Sequence, residues 1–309
     1  MEPKYSFRSL SCFAFFVLFL LDAQAHPPHR KETDKTPQTL DYLKNLVGIR
    51  KGNSAKGLSH LKNYLSNLGY MNIEGIKKPP PGANDDSFDE NLELAIRAYQ
   101  SFFKLKVTGM LDGDTVKQIM EPRCGVADNF AVLNKTLLQS KMPIIASRYT
   151  FFPGKPVWPA GKRSLTYSFP PGTRPDINRC LLAATDIWGA NSAFGFTYID
   201  DYANADVKIS FQVRDHGDGN PFDGPLGILA HAFAPTDGRL HMDGDEKWCD
   251  GVYEGQFDMQ TVGLHEMGHI LGLMHTGDVG AVMYPYIGPN SRKGLGQDDV
   301  DGIKALYPF

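Results

Sequence analysis

Only four cysteines occur in 309 residues, too few for a small fold stapled by many disulfides. No later segment is as long and apolar as the roughly 20 residues that a membrane-spanning helix needs. Neither sign of charge dominates: 32 Lys and Arg against 35 Asp and Glu leave a formal net charge of -3. That balance gives no reason to expect a nucleic-acid partner. Internal repeats are absent. Turn-formers are plentiful, with 31 Gly and 21 Pro, so a bundle of long helices is excluded. Apolar content of 42% and charged content of 22% are ordinary globular values, and the length suffices for two modest domains.

Residues 1–25 read as a secretory signal peptide. Lys4 and Arg8 make a weakly basic start, Cys12 to Leu21 is a run of ten apolar residues, and Ala23-Gln24-Ala25 is a small-residue cleavage site. The chain closes on Leu306-Tyr307-Pro308-Phe309, without the apolar tail of a lipid anchor. A soluble, secreted product is expected. Removing the leader takes Cys12 and leaves Cys124, Cys180 and Cys249, an odd number that flags one unpaired thiol. Asn134-Lys135-Thr136 is a glycosylation sequon.

Residues 26–37 are polar and Pro-containing. Leu40 to Leu68 has helical apolar spacing, Lys77 to Asn84 is a Pro-Gly loop, Asp89 to Phe103 is amphipathic, and Asp114 to Met120 reads as a short helix. Residues 40–120 are therefore expected to form a small three-helix domain. Residues 134–163 read as a linker and extended arm. Strands are expected at Leu165–Phe169, Phe196–Ile199, Val207–Phe211 and Leu229–Phe233. Helices are expected at Ile177–Ala193 (Asp176 as N-cap), Gln260–Leu273 and Gln297–Leu306. Interleaved strands and helices predict an α+β domain with a mixed sheet over 148–309.

The most informative segment is His265-Glu266-Met267-Gly268-His269-Ile270-Leu271-Gly272-Leu273-Met274-His275. Side chains four apart share a helix face, so His265 and His269 can grip one ion from the same side. Gly272 can take a positive φ, end the helix and let His275 return as third ligand. Three neutral imidazoles leave a tetrahedral zinc with one open position. Glu266 beside the first ligand then acts as general base for water attacking a peptide carbonyl. Single histidines on amphipathic helices are more often core or surface residues. This pattern is too specific for that explanation.

A second group, His216, Asp218, His231 and His241, would fill a tetrahedral shell completely, as in a structural zinc site. Asp223, Asp243 and Glu246, with Gly224 for a sharp turn, suit calcium, although acidic loops are common without any ion. In Pro122-Arg123-Cys124-Gly125-Val126-Ala127-Asp128 a thiolate can occupy the open zinc position, with Arg123 and Asp128 pairing to hold the loop. Cysteine arithmetic alone would instead join Cys124 to Cys180 or Cys249. The zinc motif downstream favours the switch and leaves Cys180 and Cys249 as a pair whose bonding sequence does not decide.

Taken together, these segments resemble the matrix metalloproteinases, or matrixins, of the metzincin clan. The likeness runs from about residue 40 to 309 through PRCGVAD, the zinc motif and HGDGNPFDGPLGILAHAF. It implies a propeptide over 26–147, similar to peptidoglycan-binding domains, and a catalytic domain over 148–309 with a five-stranded mixed sheet and three helices. It also implies that Met283 forms a methionine turn beneath the zinc. Gly227, Ile228, Leu229 and Ala230 would pair with an extended substrate, and Thr261, Leu264 and Tyr284 would line the pocket next to the scissile bond. Two zinc ions and at least one calcium are implied, with a second calcium at Asp206 in doubt because Ala234 to Leu240 is short. The layout without a hemopexin-like extension resembles small matrixins, including plant ones. No Arg-X-Lys-Arg run precedes residue 148, so activation is expected from another protease or from autolysis near Pro143 to Tyr149. Extracellular proteins are the expected substrates, and the mature enzyme is expected to be a monomer.

Two other classes compete. A glycan-binding module accounts for the helical N-terminal domain but leaves Glu266 and the third histidine without purpose. An inactive scaffold conflicts with an intact base and ligand set.

Overall fold

In the computed structural model, residues 40–72, 85–128 and 148–308 are described. The signal peptide, the stretch 26–37, the loop 77–84, the sequon at Asn134 and most of the linker lie outside them. The first helical stretch is not continuous. A 3-10 helix spans Leu40–Leu46 and helix α1 spans Leu58–Asn67. Gly57 caps α1 with φ of 104°, and a Cβ there would press on the Tyr42 ring. Helices α2 (Glu90–Phe102) and α3 (Gly113–Ile119) each begin after an aspartate. Asp89 accepts from Leu92 N and Asp112 from Thr115 N, which satisfies amides that a helix start leaves open. Leu43, Leu61, Leu65, Leu92, Tyr99 and Ile119 form the core of this helical unit. Tyr286, from far along the chain, joins the same core.

The second unit is built on one mixed sheet. Its strands are β1 (Arg123–Cys124), β3 (Ser164–Ser168), β4 (Gly195–Tyr198), β5 (Val207–Gln212), β6 (Ile228–Ala232) and β7 (Arg239–Asp243). The order is β1-β6-β7-β5-β3-β4, with only β6 and β7 antiparallel. Five strands thus come from residues after 148, as the resemblance implied, and β1 adds a sixth from the switch segment. Strand β2 (Thr150–Phe151) pairs with β10 (Leu273–Met274), and β8 (Trp248–Cys249) pairs with β9 (Phe257–Asp258).

Helix α4 covers Pro175–Asn191. It starts earlier than its apolar spacing suggested, because Pro175 takes the first helical position and Arg174 becomes the N-cap; Asp176 lies inside the first turn. Helix α5 (Met259–Ile270) is buried on nearly every side, which marks a central helix. It lies close against α4: a Cβ on Gly263 would collide with Leu181, and Trp188 Nε1 donates to Leu264 O at 2.8 Å. Helix α6 spans Gln297–Leu306. Its Asp299 accepts from Val282 N and Met283 N at 2.7 and 3.1 Å and so fixes the turn around Met283.

Candidate active site and metal centres

Three imidazoles converge at the C-terminal end of α5. His265 and His269 lie on one face of the helix. Gly272, with φ of 104°, ends it and sends the chain into β10, which delivers His275. Thr150 Oγ1 donates to His275 O at 2.6 Å, so the β2 arm holds that returning segment. Each ring spends Nδ1 on an acceptor: His265 on Val282 O (2.7 Å), His269 on Leu273 O (2.8 Å) and His275 on Asp128 Oδ1 (2.8 Å). Those bonds fix the tautomers and leave all three Nε2 lone pairs pointing inward. The Nε2 atoms are 3.1 to 3.2 Å apart. Burial lowers the pKa of all three rings, so none is a cation that could bridge its neighbours. A tetrahedral ion with bonds near ~2.0 Å would set its nitrogens about 3.3 Å apart, close to what is seen.

The fourth corner belongs to Cys124, whose Sγ lies 3.5 Å from His269 Nε2. Cys124, His265, His269 and His275 make one cluster of potential ligand atoms, all within 4.8 Å of one another and all buried. Burial, with Glu266 adding, pushes the thiol well up. A thiolate is tolerable in this place only beside a cation. Burial pushes Glu266 up to about 8, against a lowering from the Cys124 thiol, and both its oxygens are buried without a well-formed hydrogen bond. An orphaned carboxylate next to an exchangeable ligand is where a base for an incoming water belongs.

The switch segment is held as an extra strand. Arg123 N donates to Gly227 O (2.7 Å) and Gly125 N to Ala230 O (2.8 Å), parallel to β6. On the other side Cys124 N donates to Pro285 O (2.9 Å) and Ile287 N to Pro122 O (3.1 Å). The main chain of residues 122–125 therefore fills the groove between Gly227–Ala230 and Pro285–Ile287. Arg123 and Asp128 form a fully buried ion pair. Asp128 also accepts from Tyr70 OH at 2.7 Å. Burial works to raise Asp128, but the Arg123 charge and the hydrogen bonds from His275 and Arg123 outweigh it and hold the carboxyl down at about 2. The contact from Asp128 to the ring of His275 was not legible in sequence. Nor was the aromatic joint in which Tyr99 and Tyr286 share a hydroxyl contact and Phe103 packs edge-on to Tyr284 and Tyr286. The run of aromatics from Tyr99 to Phe103 was the available signal.

His216, Asp218, His231 and His241 form the second cluster. Asp218 Oδ2 lies 2.8 to 2.9 Å from the three rings, and His241 Nδ1 is 3.2 Å from His216 Nε2 and from His231 Nε2. His216 Nδ1 is spent on Arg214 O at 2.9 Å, which again turns the other lone pair inward. These edges also suit a small tetrahedral ion, here with all four corners filled.

The acidic residues behave differently. Asp223, Asp243 and Glu246 are not among the groups gathered within 4.8 Å. Burial first, and neighbouring carboxylates second, push Asp223 and Asp243 up to about 6 and Glu246 to about 7: Asp243 acts on Asp223, Asp245 on Asp243, and Asp243, Asp223 and Asp245 on Glu246. Asp243 Oδ2 is buried without a partner. Backbone amides take some of the remaining oxygens: Ile228 N donates to Asp223 and Leu226 N to Glu246. Gly224, with φ of 89°, makes the sharp turn, where a Cβ would meet Arg214. At Asp206, the doubtful second calcium ligand, the carboxylate accepts from Thr166 N and Oγ1 (2.8 and 2.9 Å) and pairs with the Lys162 ammonium.

Of the remaining expected residues, Met283 is buried against the helix that carries His265 and His269. A Cβ on Gly268 would run into its Sδ, so the helix backbone approaches the sulfur as only glycine allows. Thr261 donates to its own N-cap, Asp258, and accepts from Lys293 N. Leu264 is fully buried and Tyr284 half-buried.

Three converging lone pairs with an unpartnered carboxylate beside them fit a metal-dependent hydrolase. The matrixin peptidase model matches residues 157–308, and a putative peptidoglycan-binding domain model matches residues 54–119. Metalloendoproteinase 1 of Glycine max is 41% identical over 97% of this chain and 95% of its own length. Metalloendoproteinase 5-MMP of Arabidopsis thaliana is 38% identical over 88% of this chain and 77% of its own. Human matrix metalloproteinase-20 is 40% identical over 69% of this chain and 41% of its own. The chain belongs to the matrixin family and is a zinc metalloendopeptidase.

Proposed function

We propose that this chain is a secreted, latent endopeptidase, with a propeptide over 26–147 that silences a catalytic domain over 148–309. His265, His269 and His275 hold the catalytic zinc, and Cys124 completes its shell in the latent state. The observation that carries this reading is the set of three inward Nε2 lone pairs 3.1 to 3.2 Å apart, with Cys124 Sγ at 3.5 Å. Held by His265, His269 and His275, zinc would supply Lewis acidity toward a water and a substrate carbonyl once the Cys124 thiol has withdrawn. Glu266 takes the proton of the attacking water and hands it to the leaving amine. Gly227–Ala230 and Pro285–Ile287 grip an extended substrate once residues 122–125 vacate the groove. Arg123 and Asp128 keep the switch loop in shape, and Met283 supports the ligands from below.

His216, Asp218, His231 and His241 hold a second, structural zinc. Asp223, Asp243 and Glu246, with carbonyl oxygens of the Gly224 loop, hold calcium, which relieves their mutual repulsion. The helical domain, despite its likeness to glycan-binding modules, serves to present Cys124. Extracellular proteins are the substrates, and an outside protease or autolysis frees the catalytic domain. The test is metal analysis of the activated domain, together with peptide cleavage assayed with and without a chelator. About two zinc per chain and chelator-sensitive cleavage are expected. Cleavage that survives complete zinc removal would refute the reading.

A further inference from the structure

Two thiols outside the metal centre share one cleft. Cys180 is buried in the first half of α4, and Cys249 is half-buried at the end of β8. Both line one open cleft with Arg174, Trp248, Asp250 and Met259. Their chain neighbours are bonded directly: Arg179 Nη2 lies 2.9 Å from Asp250 Oδ2. That ion pair and the shared cleft bring Cys180 and Cys249 into one neighbourhood. Both thiols also feel the charges of Asp250 and Asp258. The chemistry at His265 to His275 uses neither sulfur.

We propose that Cys180 and Cys249 close into a disulfide that ties α4 to the β8–β9 pair. Cys249 is the register partner of Asp258, the N-cap of the zinc-bearing helix α5. The crosslink would brace the start of that helix from outside. The oxidant is a small-molecule disulfide of the glutathione class. The Cys249 thiolate, the more exposed of the two, attacks one sulfur of that disulfide, breaks its S–S bond and expels one thiolate. The Cys180 thiolate then attacks the Cys249 sulfur and expels the second. Two thiol protons and two electrons leave the protein with two molecules of reduced small thiol. Burial lifts both cysteine thiols, Cys180 to about 11. The dithiol thus gains little from ionising, which favours a structural bond over a catalytic one.

The test needs no peptidase activity, so it stands apart from the proposed function. The full zinc-loaded chain is equilibrated in a glutathione redox buffer, quenched with an alkylating reagent and digested without reduction for mass mapping. A peptide pair joined through Cys180 and Cys249, 2 Da lighter than the two reduced peptides together, is expected. In Cys180→Ser, Cys249 should instead carry a glutathione adduct. In Cys249→Ser, the buried Cys180 should stay unmodified. Wild-type chain in which Cys249 is glutathionylated or alkylated, with no joined peptide, would overturn the proposal.

Discussion

The two imidazole clusters have nearly the same geometry and, under the proposed function, opposite purposes. In each, donor atoms stand about 3 Å apart around a point that only a small cation can occupy. The difference lies in where the fourth ligand comes from. Asp218 sits two residues from His216 and cannot leave without unfolding its loop. Cys124 comes from a segment 145 positions ahead of His269 and is held by strand pairing and a buried ion pair. A local fourth ligand makes a rivet; a distant one makes a gate. Glu266 stands beside the first cluster as a carboxylate outside the ligand set, whereas Asp218 is itself a corner of the second.

Removing the base should produce the largest effect. Glu266→Ala in the activated domain should cut kcat by about 10²- to 10⁴-fold, the usual worth of a positioned acid–base group, with zinc content unchanged. Steady-state peptide cleavage beside metal analysis checks both. Opening the gate comes next: Cys124→Ser should yield a precursor that cleaves peptide without processing, whereas wild type stays silent until cut. A Cys124 variant as latent as wild type would remove the distinction between the clusters. Breaking the rivet should act on stability. Asp218→Ala leaves three rings sharing a poorly closed shell and should lower Tm by about 10 °C, roughly 3 kcal/mol in a domain of this size. The intrinsic kcat of the molecules that stay folded should barely change.

Smaller still is the acidic loop. Asp223, Asp243 and Glu246 have pKa values raised from about 4 to between about 6 and 7. These three carboxyls therefore bind more protons in the folded chain than in the unfolded one between about pH 4 and 7, and their own contribution to calcium-free stability should fall as pH rises through that window, while the buried imidazoles, lowered by burial, work the other way. Added calcium should flatten the fall and raise Tm at pH 7 by about 5 °C. Thermal melts at several pH values, with calcium or a selective chelator, measure this. A calcium-induced gain in Tm no larger at pH 7 than at pH 4 would count against a repelling cluster.

Much of this was legible in sequence because the chemistry is local. The helix motif fixes two ligands by spacing, Gly272 announces the turn that returns the third, and alternation located β3, β4, β5 and β6 to within a residue or two. Strand β7 (Arg239–Asp243) was missed as a strand. Two of its five residues, His241 and Asp243, read as ligands and disguised the alternation. The break between Leu46 and Leu58 was missed because apolar spacing carries on across Gly48, Gly52 and Gly57. The joints between the halves were invisible for another reason. Tyr70 on Asp128, Asp128 on His275 and Tyr99 on Tyr286 link positions 58, 147 and 187 apart, and no periodicity encodes a contact between distant segments.

Zinc-edge X-ray absorption on the intact precursor, then on the activated domain, tests the central claim most directly. The precursor should show about two zinc per chain and, averaged over both, about half a sulfur neighbour per zinc at ~2.3 Å; activation should replace that sulfur with oxygen. A precursor whose zinc has only nitrogen and oxygen neighbours would contradict the account.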